Sequence, residues 1–202
     1  MEKKNFTKRI LLTIGSMFVC LMIMGVSVYA ALSQTVEITN SISVNTSGQA
    51  KALVSVYEEK ITGEKAVTEV GDEPTWGEAV LTKSSSQDNA SQELEGIIFS
   101  QTEKVNMYAY KFYAKNESTT NTSVDVTITS SVESNTEIDI WVGEDYETLT
   151  KLENGQGVNF KKEDLAANGE VVYYVVITAN TDLANMAEMS SQDFNFNVVV
   201  SV

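Results

Sequence analysis

Histidine is absent from the 202 residues, cysteine and proline occur once each, as Cys20 and Pro74, and the only arginine is Arg9. Without histidine there is no base for a Ser-His-Asp triad, no HExxH helix and no imidazole ligand for zinc. Cys20 lies inside an apolar N-terminal run, so the rest of the chain has no thiolate nucleophile, no thiolate metal ligand and no internal disulfide. The glycines form neither GxGxxG nor GxxxxGK[ST], which removes the common dinucleotide and phosphate loops. These absences leave carboxylates, lysine and tyrosine as the available chemistry.

Positive charge is scarce as well. Removing Lys3, Lys4, Lys8, Arg9 and Glu2 with residues 1–30 takes 14 basic and 28 acidic residues to 10 and 27, a net charge of −17. Such a surface repels phosphate backbones and anionic lipid, so no nucleic-acid partner is expected, and the membrane is expected to be met only through the N-terminal segment. The charge reads first as a means of keeping an exported domain soluble.

The N-terminus combines those basic residues with an uncharged stretch from Ile10 to Ala31 that ends Val28-Tyr29-Ala30-Ala31. Basic start, apolar middle and small residues at the end are the three parts of a secretory signal, and cleavage is expected after Ala30, with Val28, Ala30 and Ala31 forming the site. A signal peptidase is then a partner during export. The alternative is an uncleaved anchor over residues 10–31: roughly 22 residues make a helix of about 33 Å, enough for a hydrocarbon core of about 30 Å. Met17-Phe18-Val19 before Cys20 lacks the small residues of a lipoprotein signal, and Cys20 reads as a buried apolar residue.

The remaining residues, 31–202, suit a single β-sandwich domain, which at about this length buries near 70% of its surface and needs no metal or disulfide. From Ala31 to Val44 the apolar residues Leu32, Val36, Ile38, Ile42 and Val44 alternate with Ser33, Thr35, Glu37, Thr39, Ser41 and Ser43, the period of a strand with one buried face. Gln34 and Asn40 interrupt that face, and Asn40 marks a bend or bulge. Further strands are expected at 52–57, 77–81, 97–99, 105–113, 123–132, 138–142, 171–179 and 194–202. Residues 105–113 and 171–179 are apolar at nearly every position, as in central strands covered on both faces. Turns fall at Asn154-Gly155, Asn168-Gly169, Ile61-Thr62-Gly63 and Gly71-Asp72-Glu73-Pro74, and residues 83–95 read as a polar loop. The one helix expected runs over 183–189, capped by Thr181 or Asp182. The fold class is therefore all-β, an antiparallel sandwich of jelly-roll or immunoglobulin-like type, preceded by the N-terminal apolar helix.

Two groups of acids surround the tryptophans: Asp72, Glu73 and Glu78 near Trp76, and Asp139, Glu144, Asp145 and Glu147 near Trp141. A carboxylate pair could in principle cleave glycosides, and Trp between acids can support a sugar ring, but in so acidic a chain the simpler reading is solvated loops. Gly143-Glu144-Asp145 lacks the spaced oxygen ligands of a calcium loop. Tyr108, Tyr110, Phe112 and Tyr113 read as core packing rather than a binding stripe. The sequons at Asn45, Asn89, Asn116 and Asn121 are expected by chance where Ser and Thr are frequent. No catalytic residue, cofactor or metal ligand is assigned, and no enzyme activity is expected.

The KKNFTKR start, the apolar run ending Val28-Tyr29-Ala30-Ala31, the Ser/Thr-rich first strand, and Lys111-Phe112-Tyr113-Ala114-Lys115-Asn116 ahead of the strand at 123–132 resemble the exported TasA and camelysin-type proteins of monoderm bacteria. The resemblance implies a jelly-roll-like sandwich at the cell surface that assembles into extracellular matrix fibres, with the new N-terminal segment donated between subunits. Camelysins also carry a metallopeptidase label. Every histidine such a zinc site would use is missing here, so that activity is not transferred.

On this reading the strand carrying Leu32, Val36, Ile38, Ile42 and Val44 is the candidate donor, and the partners are further copies or other surface and matrix proteins. Burying those side chains contributes a gross 7 to 15 kcal/mol at about 1.5 to 3 kcal/mol each, an upper bound. A tether at about millimolar effective concentration favours pairing within the chain by roughly 4 kcal/mol over micromolar neighbours, so exchange needs a tether that discourages folding back. The alternative function is a monomeric binding or adhesion module that uses the loops around Trp76 and Trp141.

Overall fold

The computed structural model describes residues 36–46, 51–84, 90–99, 104–119, 125–186 and 194–201, all within one compact unit, Thr35–Val202. The strands are β1 (Val36–Thr46), β2 (Ala52–Thr62), β3 (Leu81–Ser84), β4 (Ala90–Phe99), β5 (Val105–Asn116), β6 (Asp125–Glu133), β7 (Ile138–Gly143), β8 (Thr150–Lys151), β9 (Gly157–Lys162), β10 (Glu170–Ala179) and β11 (Phe194–Ser201). They form a β-sandwich of a five-stranded sheet, β4-β1-β11-β6-β9, and a six-stranded sheet, β3-β2-β5-β10-β7-β8. The expected N-terminal helix and cleavage site lie outside the described residues.

Alternation assigns the two faces. On β2, Ala52, Val54 and Val56 are buried between the sheets, as are Tyr108, Tyr110, Phe112 and Ala114 on β5 and Tyr173, Val175, Ile177 and Ala179 on β10. The five-stranded sheet answers with Val126 and Ile128 of β6 and Phe196 and Val198 of β11. Aromatic pairs bridge the layers: Phe99 meets Tyr108 edge-on at 5.6 Å, Phe196 meets Phe112 at 4.7 Å, and Phe160 stacks on Tyr173 at 4.7 Å. Each such pair adds about 0.5 to 1.5 kcal/mol beyond its burial. Tyr108, Tyr110 and Phe112 are thus core, and β5 and β10 hold the two central places of their sheet, as their unbroken apolar character requires.

Antiparallel pairing holds throughout with one exception. β1 runs parallel to β11, from Asn40 opposite Phe194 to Thr46 opposite Val200, and antiparallel to β4 on its other side. The irregularity expected beside Asn40 is present between Ile38 and Asn40, where the count along β4 gains a residue near Gly96. A second bulge lies at Asn106 of β5, opposite the Ile61–Thr62 step. Asn106 turns its Nδ2–H to the carbonyl of Lys65 at 2.8 Å. A Cβ added at Gly63 would fall 2.8 Å from Asn106 Cγ, so a larger residue there would have to displace that amide from Lys65.

Of the polar stretch read as a loop over 83–95, residues 83–84 end β3 and residues 90–95 begin β4, while residues 85–89 lie outside the described residues. Edge strands pair through the backbone and need few apolar side chains, so their sequence is polar. Residues 77–80, expected as strand, are irregular, with pairing starting at Leu81 opposite Val56. The short β8 and β9 were not legible, although the turn between them was: Gly155 takes φ +79 and Gln156 N–H donates to Glu153 at 3.1 Å. Of the expected helix at 183–189, Leu183–Asn185 form a 3-10 turn with Met186 extended after it, and residues 187–189 lie outside the described residues. Asp182 does not cap it, and its carboxylate accepts from Ala66 N–H and pairs with Lys65, each at 2.9 Å.

Candidate functional site

The two tryptophans singled out by the sequence come together on the outer face of the six-stranded sheet. Tyr174 and Val176 of β10 and Ala109 of β5 floor this face, and Trp76, Trp141, Val70, Leu149 and Tyr146 pack over it. The covering segment, 63–80, is held at its start by Gly63 N–H to Lys104 O at 2.6 Å and Val67 N–H to Ala179 O at 2.8 Å. At its end Gly77 N–H donates to Glu59 Oε1 at 2.7 Å and Val80 N–H to Val56 O at 2.8 Å.

Trp76 is used from several sides. Its ring lies 6.5 Å from Tyr57, 6.4 Å from Tyr146 and 6.2 Å from Tyr174, and its indole N–H donates to Glu73 Oε1 at 2.6 Å. Lys111 of β5 stands 5.7 Å from the centroids of Trp76 and Tyr174 and 6.0 Å from Tyr57, with Glu73 Oε1 at 3.7 Å. An ammonium among three rings and a carboxylate is a cation–π clamp that fastens the 63–80 segment to β5. Burial pushes the phenols of Tyr146 and Tyr174 up to about 12, and the Glu73 carboxylate beside them adds to the shift.

Trp141 is committed in the same way. Its indole N–H donates to Thr178 Oγ1 at 3.1 Å, and Lys151 sits 5.8 Å from its ring centroid. Of the surrounding acids, Asp139 is buried, ion-paired to Lys151 at 2.6 Å and bonded by Asn180 Nδ2 at 3.1 Å. Asp145 caps the turn at Tyr146–Thr148 by accepting from Glu147 N–H at 3.0 Å, and Glu144 and Glu147 are exposed. Among the described residues no group of three or more acids is placed to hold a metal ion.

Of the candidate donor-strand residues, Val36, Ile38, Ile42 and Val44 lie on β1, with Ile42 between Gln92 of β4 and Phe196 of β11. Leu32, like Val28, Ala30 and Ala31, falls outside the described residues. Among the described residues, β1 is the only strand that joins β4 to the rest of its sheet. Asn116, in one of the sequons, is fully buried, donates to Leu165 O at 3.1 Å and accepts from Ser118 N–H at 2.9 Å, which fixes it as a structural residue.

No family model matches the chain, and no curated protein matches it. Among solved structures, the T-13 major pilin of Streptococcus pyogenes aligns with 84% of this chain and 98% of its own at 10% identity and a TM-score of 0.22. A second major pilin of the same organism aligns over the same shares at 10% identity and a TM-score of 0.16. Values this low do not define a shared fold.

Proposed function

We propose that this chain is an exported structural protein of the bacterial cell surface or biofilm matrix that acts by associating with copies of itself, and that it is not an enzyme. The observation that carries the reading is the position of β1, which follows the expected cleavage site and, among the described residues, alone connects β4 to β11. Removing it from its place would open two strand edges at once, one asking for a parallel partner and one for an antiparallel partner. A β1 from another copy would make the same hydrogen bonds there, so exchange alters the connection between subunits and not the bonds themselves. The jelly-roll-like layout of the resembling family belongs to the same reading.

The distance from β1 to β2 limits this route. Only residues 47–51 separate Thr46 from Ala52, yet even a short segment at about 3.3 Å per residue reaches across sheets stacked about 10 Å apart, so pairing within one chain is also comfortable. Exchange therefore has to occur before the chain closes on itself or be driven by concentration. The outer face at Trp76 and Trp141 gives the binding-module reading little support, since both indole N–H groups are spent inside the protein.

Surface fractions of the producing cells test the proposal. Immunogold labelling is expected to decorate extracellular fibrous material, and mass spectrometry of that material to find Ala31 as first residue. Protein confined to the cytosol would refute it.

A further inference from the structure

The two sheets end in four edge strands, β4 and β9 in the five-stranded sheet and β3 and β8 in the six-stranded one. Three of the edge strands carry lysine, with Lys83 on β3, Lys151 on β8 and the adjacent pair Lys161 and Lys162 on β9. β4 differs. It is the longest of the four at 10 residues, carries Glu93 and Glu95, and has no basic residue. The two ends of the five-stranded sheet are thus opposite in charge, and among the described residues neither has a strand on its free side.

Strand direction adds a second constraint. From β1, the pairings make β4 antiparallel, β11 parallel, β6 antiparallel and β9 parallel to it. β4 and β9 therefore run in opposite directions, and a copy displaced along the sheet without being turned over presents its β4 antiparallel to the β9 of its neighbour. β9 against β9 would set Lys161 and Lys162 against their own kind, and β4 against β4 would oppose glutamates, both unfavourable across strands. Within the five-stranded sheet only the unlike pairing satisfies charge, and a contact between unlike surfaces repeats from copy to copy as an open filament unless its rotation closes a ring.

We infer that β9 of one molecule adds antiparallel to β4 of the next, so that the five-stranded sheet continues from copy to copy. One register within the length of β4 sets Lys161 opposite Glu93 and Phe160 opposite Leu94. Within its own chain Lys161 is paired with Glu163, an exposed ion pair between 55% and 59% exposed side chains, which costs little to exchange for an intermolecular one. The contact rests on the self-association reading, but it does not require β1 to be exchanged.

Single-cysteine variants test it, made in the full chain with Cys20→Ser so that no other thiol is present. Glu93→Cys and Lys161→Cys are prepared separately, mixed and exposed to mild oxidant at the concentration where wild-type filaments form. Disulfide-linked dimers are expected in the mixture and at least tenfold fewer in either variant alone. The double variant is expected to give a ladder of higher species. A second pair of variants guards against a local effect of the thiols: Lys161→Glu with Lys162→Glu is expected to slow assembly at least tenfold, and adding Glu93→Lys with Glu95→Lys to restore it. Filaments without the mixed disulfide would overturn the β9–β4 contact and leave self-association standing. Absence of assembly under all conditions would overturn both.

Discussion

The ammonium of Lys151 lies 2.6 Å from Oδ2 of Asp139, a residue only 3% exposed on the outer face of the six-stranded sheet. Asp139 also accepts from Asn180, and Lys151 covers the ring of Trp141, so this pair joins β7, β8 and the end of β10. Lys151→Ala removes the countercharge of a buried carboxylate, and with half of the lysine side chain in solvent the expected loss is about 1 to 3 kcal/mol in urea unfolding, below the full cost of breaking a buried pair. Asp139→Asn combined with Lys151→Met is expected to lose less than the sum of the single changes. Strict additivity would show that the two residues act independently.

Trp76 holds the 63–80 segment to the sheet through three rings, one ammonium and one carboxylate. Trp76→Ala is expected to destabilise the domain by about 2 to 4 kcal/mol, toward the lower part of the range for buried aromatic residues because the ring is half-buried. Lys111→Met and Trp76→Leu together should reveal a coupling of about 0.5 to 1 kcal/mol in a double-mutant cycle. A coupling of zero would mean that Lys111 merely lies near the rings.

Alkaline titration reads the three most strongly shifted phenols. Tyr146, Tyr173 and Tyr174 rise from an ordinary 10.0 to about 12, each chiefly through burial. The folded state holds these protons more tightly than the unfolded one, so their contribution to stability is complete below pH 10 and is lost as the pH climbs toward 12. Tyrosinate absorbance is expected to show a late group that ionises near pH 12 or together with unfolding. If all tyrosines titrated near pH 10 with the fold intact, these rings would not be buried as described.

How much of this was legible in the sequence depends on the kind of interaction. β5 and β10 could be read because a strand buried on both faces has to be apolar at consecutive positions, and the turn at Asn154-Gly155 because few residues take positive φ. Only the Ile97–Phe99 end of β4 could be read, and β9 could not, because an edge strand draws its stability from backbone pairing, which leaves no apolar period over Ser91, Gln92 and Glu93. The parallel partnership of β1 and β11 joins the two ends of the domain, and alternation assigns a face to each without choosing its neighbour. Trp76 and Trp141 stood out as large residues among acids, but Lys111, Tyr57 and Tyr174, which share the face, were read only as parts of strands. Their convergence follows from the order of β2, β5 and β10 in the sheet, which local pattern does not contain.

Self-association is tested most directly by negative-stain electron microscopy, with light scattering across a concentration series, of the exported protein purified from the cell surface. Unbranched filaments that lengthen with concentration are expected, and monodisperse single molecules at every concentration would contradict the assignment as a self-assembling structural protein.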